Sequence, residues 1–342
     1  MTWRAPLALV GALLLSSCLR ALGPSVSEPV DRAPGEPDAV RLVYLGSGGW
    51  IMEHGDEVVI AGPLFTNPGL FQTGLFGIRS DTAEVNRHMA RYDSVYDVSR
   101  AKAIVVGHAH YDHLMDVPQV ARRFAPDAEI VVNRTGANIL GTWSGVGDRV
   151  RVVNGLAGDQ RSIGTWFECG TRTRVMALRS QHAPHFDGYT LYRGTRDKPM
   201  REEPTWATDW VSGETVAFLI DFMSDEDPDS VAFRIYYQDA VAAPPAGFAP
   251  EALIHERPVD VAILVPATFD QVDWHPEALV ENLRPKWVIL GHWEDFFTPF
   301  DEPTKSIFLT DVRHFENRLE RVWNGEWWRP EKGTEFRFPT GG

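Results

Sequence analysis

Residues 107–113 read Gly-His-Ala-His-Tyr-Asp-His, and Ala103-Ile-Val-Val106 before them is a short apolar run. Such a run is a buried strand. The chain therefore passes from a sheet interior straight into three imidazoles and a carboxylate, although it has only 11 histidines in 342 residues. Imidazole and carboxylate together suit a borderline divalent cation such as Zn²⁺. In extended backbone, residues two apart share a face, so His108 and His110 can grip one ion. Asp112 and His113 fall where the chain turns toward a helix expected over Asp116–Phe124, and they can face a second ion. Each pair then needs partners from elsewhere in the chain.

Three candidates stand at the ends of apolar strands. His182 follows Arg174-Val-Met-Ala-Leu178, Asp239 follows Phe233-Arg-Ile-Tyr-Tyr237, and His292 follows Trp287-Val-Ile-Leu290. Strand ends are where α/β folds assemble their sites. A lone histidine after a strand is usually a surface residue and a lone aspartate a turn residue, but three in this order behind H-x-H-x-D-H form a set. Asp221 ends Val216-Ala-Phe-Leu-Ile220 and rivals Asp239. His185, three residues past His182, is a candidate to contact substrate or to act as acid for a leaving group. His54, His88, His255, His275 and His314 read as structural or surface residues.

The remaining pattern is mixed. Arg41-Leu-Val-Tyr-Leu, Trp50-Ile-Met-Glu and Val58-Val-Ile-Ala are strand-like, and Gly46-Ser-Gly-Gly49 joins the first two. Ser80–Tyr92 has helical spacing. Glu129-Ile-Val-Val132 and Asp260-Val-Ala-Ile-Leu-Val265 are further strands. Val216–Ile220 and Phe233–Tyr237 form a hairpin around Asp225–Ser230. Val312, Phe315, Leu319 and Val322 make an apolar helical stripe. Strands mixed with helices, with the chemistry at strand ends, imply an α/β sandwich. Thr66–Arg79 and Thr195–Gly213 read as inserted loops. Their Leu70, Phe71, Leu75 and Phe76, with Trp206 and Trp210, could cover a bulky or lipid-like substrate. Trp293, Phe296 and Phe297 would wall the pocket.

The formal net charge of −14 argues against nucleic acid as an electrostatic partner. An anionic substrate remains open, since bound metal dominates its local field. Arg4 and the apolar run Leu7–Leu15 make a signal-peptide pattern. It ends in Leu15-Ser16-Ser17-Cys18, which resembles a bacterial lipoprotein signal. That resemblance implies a signal over residues 1–17, a lipid anchor on Cys18, a flexible tether over residues 18–39, and an outer-membrane address facing the periplasm. Residues 40–342 form the folded domain. Cys169 is the other of the two cysteines, so the mature chain has no internal disulfide, and Cys169 is expected to be a small buried apolar residue.

His108-Ala-His110-Tyr-Asp112-His113 resembles the core motif of the metallo-β-lactamase-fold hydrolase superfamily, over roughly residues 40 to 300. Tyr111, Ser180-Gln-His182, Pro285-Lys-Trp-Val-Ile-Leu-Gly-His292-Trp and Tyr44-Leu-Gly-Ser-Gly-Gly-Trp look like the branch of N-acyl-phosphatidylethanolamine phospholipase D and the ascorbate-phosphate lactonases. The resemblance implies an αββα fold. It also implies that His108, His110 and His182 bind one metal, that Asp112, His113 and His292 bind a second, and that Asp239 bridges them. Two ions so held support a bridging hydroxide as nucleophile, with Asp112 handling the proton after attack. Two positions depart from the pattern: Gln238 stands where glycine usually precedes the bridging aspartate, and Ala61-Gly62-Pro63 replaces an Asp-Pro.

The function implied is a di-metal hydrolase of an ester-like bond, with a phosphodiester favoured slightly over a lactone. Two Zn²⁺ ions are the expected cofactors, with Mn²⁺ and Fe²⁺ as alternatives. The competing class is a surface lipoprotein that binds metal without catalysis, which requires a closed coordination site.

Overall fold

The computed structural model describes residues 39–340, so the expected signal, most of the tether and Cys18 lie outside the described residues. Two seven-stranded sheets face each other. The first begins with an antiparallel meander, β1 (Ala39–Gly46), β2 (Gly49–His54) and β3 (Glu57–Ala61). It continues in parallel through β4 (Ala101–Val105), β5 (Glu129–Val132) and β6 (Val150–Val152). The second has an antiparallel half, β7 (Trp166–Glu168), β8 (Thr173–Arg179), β9 (Val216–Met223) and β10 (Val231–Tyr237). Its parallel half is β11 (Val261–Leu264), β12 (Trp287–Leu290) and β13 (Glu326–Trp328). The C-terminal β14 (Glu335–Pro339) returns to pair with β1 in the first sheet.

Period-two alternation explains the layers. In β1, Leu42 and Tyr44 enter the core between the sheets, while Val43 and Leu45 turn to the outer face. Phe218, Ile220, Phe233, Ile235 and Ile263 meet Leu42 and Trp50 in the same core. The outer face of the first sheet is covered by Val85 and Met89 of α2 (Thr82–Tyr96), Leu114 of α3 (Tyr111–Leu114), Val117 and Val120 of α4 (Val117–Arg123), and Ile139 of α5 (Arg134–Leu140). The second sheet is flanked by α6 (Glu251–Glu256), α7 (Glu277–Leu283) and α8 (Val312–Val322). The result is an αββα sandwich.

Helix α2 begins two residues later than its periodicity suggests. Asp81 is its cap, and its side chain accepts the Ala83 and Glu84 N–H groups. On α8 the stripe holds for Val312, Phe315 and Leu319, but Val322 at the last turn is 48% exposed.

The Thr66–Arg79 insertion contains the short α1 (Leu70–Leu75) and touches the second insertion where Ile78 N–H donates to Thr205 O at 2.8 Å. Leu70, Phe71, Leu75, Phe76 and Trp206 are exposed, whereas Trp210 is buried and stacks on Trp143. Trp210 is therefore a core anchor of its loop and not part of a cover. A lone indole in an irregular segment carries no periodic signal that separates these two placements.

Candidate metal centre

The sandwich brings the seven sequence-selected residues to one edge, where β4, β8, β10 and β12 release their chains. Ligand atoms of His108, His110 and His182 all lie within 4.8 Å of one another, as do those of Asp112, His113 and His292, and those of His108, His113 and Asp239. The two halves of the H-x-H-x-D-H motif thus separate into two groups. His108 Nε2 is 3.0 Å from His110 Nδ1, and the His182 ring lies 4.8 Å from that of His108. In the other group, Asp112 Oδ2 is 3.1 Å from His113 Nε2 and 3.3 Å from His292 Nε2.

Asp239 joins the groups from behind. Its Oδ1 is 3.0 Å from His108 Nδ1, its Oδ2 accepts the Gly107 N–H at 2.7 Å, and Oδ2 is 3.7 Å from His113 Nδ1. Gly107 is a steric requirement, because a Cβ there would stand 2.2 Å from Asp239 Oδ1. Gly48 is another. A Cβ on it would lie 2.5 Å from His113 Nδ1. Asp221 is elsewhere: it is fully buried between Arg174 and Arg234.

Hydrogen bonds orient several of the rings. His182 Nδ1 lies 2.6 Å from the Ala183 carbonyl, which fixes the proton there and leaves Nε2 free as a ligand. His110 Nε2 faces the Tyr192 carbonyl at 3.4 Å, leaving Nδ1 toward His108. Burial pushes His108, His110 and His182 well below the usual imidazole value, and neighbouring histidines add to the effect. They are neutral bases with lone pairs to offer. Burial also lowers His113, but Asp112 and Asp239 outweigh it and carry its pKa up to about 8. Burial raises Asp112, yet His113 and His292 hold it well below the carboxylate range.

These residues fit a pair of divalent cations. His113 Nδ1 and Nε2 and His292 Nδ1 are buried without a hydrogen-bond partner. An orphaned buried polar atom costs about 1–3 kcal/mol. A cation facing His113 Nε2, Asp112 and His292 relieves part of that cost. The donor set of imidazole nitrogen and carboxylate oxygen is that of Zn²⁺ and its neighbours.

His185 stacks on His182 with ring centroids 4.7 Å apart, and its Nδ1 accepts the Leu191 N–H at 3.1 Å. Phe296 packs on His292 at 5.2 Å and Phe297 on Phe296 at 4.5 Å. Trp293 is buried, with its indole N–H donating to Pro330 O, so it belongs to the core and not to a pocket wall. The other histidines have their own packing. His88 stacks between Phe65 and Phe300, His275 meets Val265 O, and His314 packs on Phe269. Cys169 is partly buried against the core, where burial pushes its thiol up to about 12. Tyr44 and Glu294 also reach the centre, and spacing alone gave no sign of either.

The αββα sandwich with this cluster at its strand ends is the arrangement that the resemblance to the metallo-β-lactamase fold implies. No family model matches it, and no curated protein matches it. Solved structures do match. Isothiocyanate hydrolase from Delia radicum gut bacteria superposes with a TM-score of 0.50 at 12% identity, covering 88% of this chain and 100% of that one. A metallo-β-lactamase-fold protein from Bacillus subtilis gives 0.48 at 10% identity, over 88% of this chain and 100% of that one. A metallo hydrolase from Ignicoccus hospitalis gives 0.49 at 15%, over 89% and 100%. At 12% identity the likeness to the isothiocyanate hydrolase is one of fold.

Proposed function

We propose that this chain is a di-metal hydrolase acting on an ester-like bond, with a phosphodiester favoured slightly over a lactone. The observation that carries the reading is the pair of three-residue groups, His108/His110/His182 and Asp112/His113/His292, with Asp239 shared between them. The sequence resemblance to the phospholipase D and lactonase branch supports the ester class, and the donor set supports Zn²⁺, with Mn²⁺ or Fe²⁺ as alternatives. A pair of cations held by these seven residues would supply Lewis-acid polarisation of the scissile bond and an activated water.

The chain's own residues do the rest. Asp112, ionised and set between His113 and His292, accepts the proton released after attack. His185 is held neutral by burial. Because its Nδ1 accepts the Leu191 N–H, its proton sits on Nε2, which donates a hydrogen bond to the leaving oxygen while that oxygen takes the proton collected by Asp112. Phe296 and Phe297 give the site an apolar wall. The exposed Leu70, Phe71, Leu75 and Phe76 support a substrate with an apolar part. The lipobox-like Cys18 adds an envelope address, so Cys18→Ser should move the protein out of the membrane fraction.

The test is metal analysis joined to a panel of bis-p-nitrophenyl phosphate, simple lactones and an isothiocyanate, each with and without chelator. Chelator-sensitive turnover of an ester supports the reading. Full metal occupancy without turnover of any member favours the non-catalytic metal-binding lipoprotein. Turnover of the isothiocyanate alone removes the ester assignment.

A further inference from the structure

We infer that Glu294, working through Tyr44, is a positioning residue that builds the Asp112/His113/His292 half of the centre and sets its affinity for the second cation. The inference rests on the di-metal reading above. Glu294 lies two residues past His292 and is buried at 2% exposure. The Tyr44 hydroxyl donates to its Oε2, and the Ser47 N–H donates to its Oε1. The same Tyr44 hydroxyl oxygen accepts the His292 N–H at 2.9 Å. The Ser47 hydroxyl donates to the Asp112 carbonyl at 3.2 Å. One carboxylate therefore holds two backbone segments, and each leads directly to a residue of the same half-site.

Both segments need holding. His292 and Ser47 are non-glycine residues in the left-handed region, each with φ of +49°. L-residues rarely adopt that conformation unless the surroundings over-determine it. Here the N–H of each is engaged by the Tyr44–Glu294 pair. Donating to the Glu294 carboxyl group polarises the Tyr44 hydroxyl and strengthens its oxygen as the acceptor for His292. Gly46, at φ +85°, leaves room for the carboxylate, since a Cβ there would stand 3.2 Å from Glu294 Oε1. The turn also carries Gly48 against His113, with its carbonyl accepting from the Tyr237 hydroxyl at 2.8 Å.

Nothing comparable ties Glu294 to His108, His110 or His182. The effect is therefore expected on one cation and not on both.

The experiment is a Zn²⁺ titration of the metal-stripped full chain against a competing chromophoric chelator, with bound metal counted after equilibrium dialysis. Wild type, Glu294→Gln and Tyr44→Phe are compared. Glu57→Gln is the control, because Glu57 is also buried but stands at the opposite end of β3, bonded to Thr171. The wild type should bind two ions. Both variants should hold one ion with wild-type affinity and bind the other about tenfold to hundredfold more weakly, while Glu57→Gln binds both normally. If Glu294→Gln does not fold, Tyr44→Phe, which deletes one hydroxyl, decides alone. Wild-type affinity for both ions in the variants, or equal weakening of both, overturns the inference and leaves the di-metal reading standing. Failure of the wild type to bind two ions overturns that reading, and this inference with it.

Discussion

Asp239 meets His108 at Nδ1, 3.0 Å from its Oδ1, while His108 turns Nε2 toward His110. The carboxylate thus accepts the proton of one nitrogen and leaves the lone pair of the other turned toward His110. Its second oxygen is anchored by Gly107 N–H and approaches His113. Loss of this one residue disturbs both groups at once. Asp239→Ala should therefore lower the metal content of the purified protein from about two equivalents to one or none. Elemental analysis of variant and wild type grown in the same medium checks this. Retention of both ions would remove Asp239 from the centre.

Asp221 makes the opposite prediction. It faces Arg174 and Arg234 across neighbouring strands, with Arg234 Nε and Nη2 at 2.7 and 2.8 Å and Arg174 Nη2 at 3.0 Å. Trp166 lies over the Arg174 guanidinium at 4.3 Å. Asp221→Ala leaves the buried Arg234 charge without its partner, which costs about 3–5 kcal/mol. Urea denaturation should show that loss, while metal content stays at the wild-type level. A drop in bound metal without a drop in stability would restore Asp221 as a ligand candidate.

The contrast between Asp239 and Asp221 shows what the sequence could and could not say. In the sequence both are aspartates that follow an apolar run, and only their order behind H-x-H-x-D-H separated them; in the structure Asp221 lies inside β9, paired on both sides. The motif was legible because four of its groups fall within six residues and local backbone geometry sorts them into pairs. Asp116 was legible only as the start of a helix. In the structure it is fully buried and accepts from Phe65 N–H, Thr66 N–H, the Thr66 hydroxyl and the Ser80 hydroxyl at 2.6–2.8 Å. It pins both feet of the Thr66–Arg79 insertion. That role, like the Tyr44–Glu294 bond across 250 positions, depends on tertiary contacts that no local period encodes. The missing Asp-Pro after β3 has a packing counterpart. Gly62 sits against His113, where a Cβ would meet its carbonyl oxygen at 3.3 Å.

His275 sets a pH dependence of stability separate from the metal centre. It is fully enclosed, its Nε2 facing the Val265 carbonyl at 3.3 Å, and burial drives its pKa from 6.5 to about 4. The unfolded chain takes up a proton near pH 6.5, while the folded chain resists until near pH 4. Stability from this residue is complete above 6.5 and is lost as pH falls through that window. Between about pH 7.5 and pH 4.5 the loss is roughly 2–3 kcal/mol. Other groups titrate over the same range, so the informative quantity is a difference. Urea midpoints of wild type and His275→Gln, measured at both pH values, should converge as pH falls, because the variant has no imidazole to protonate on unfolding. Parallel pH profiles for the two proteins would show that His275 is not held neutral by its enclosure.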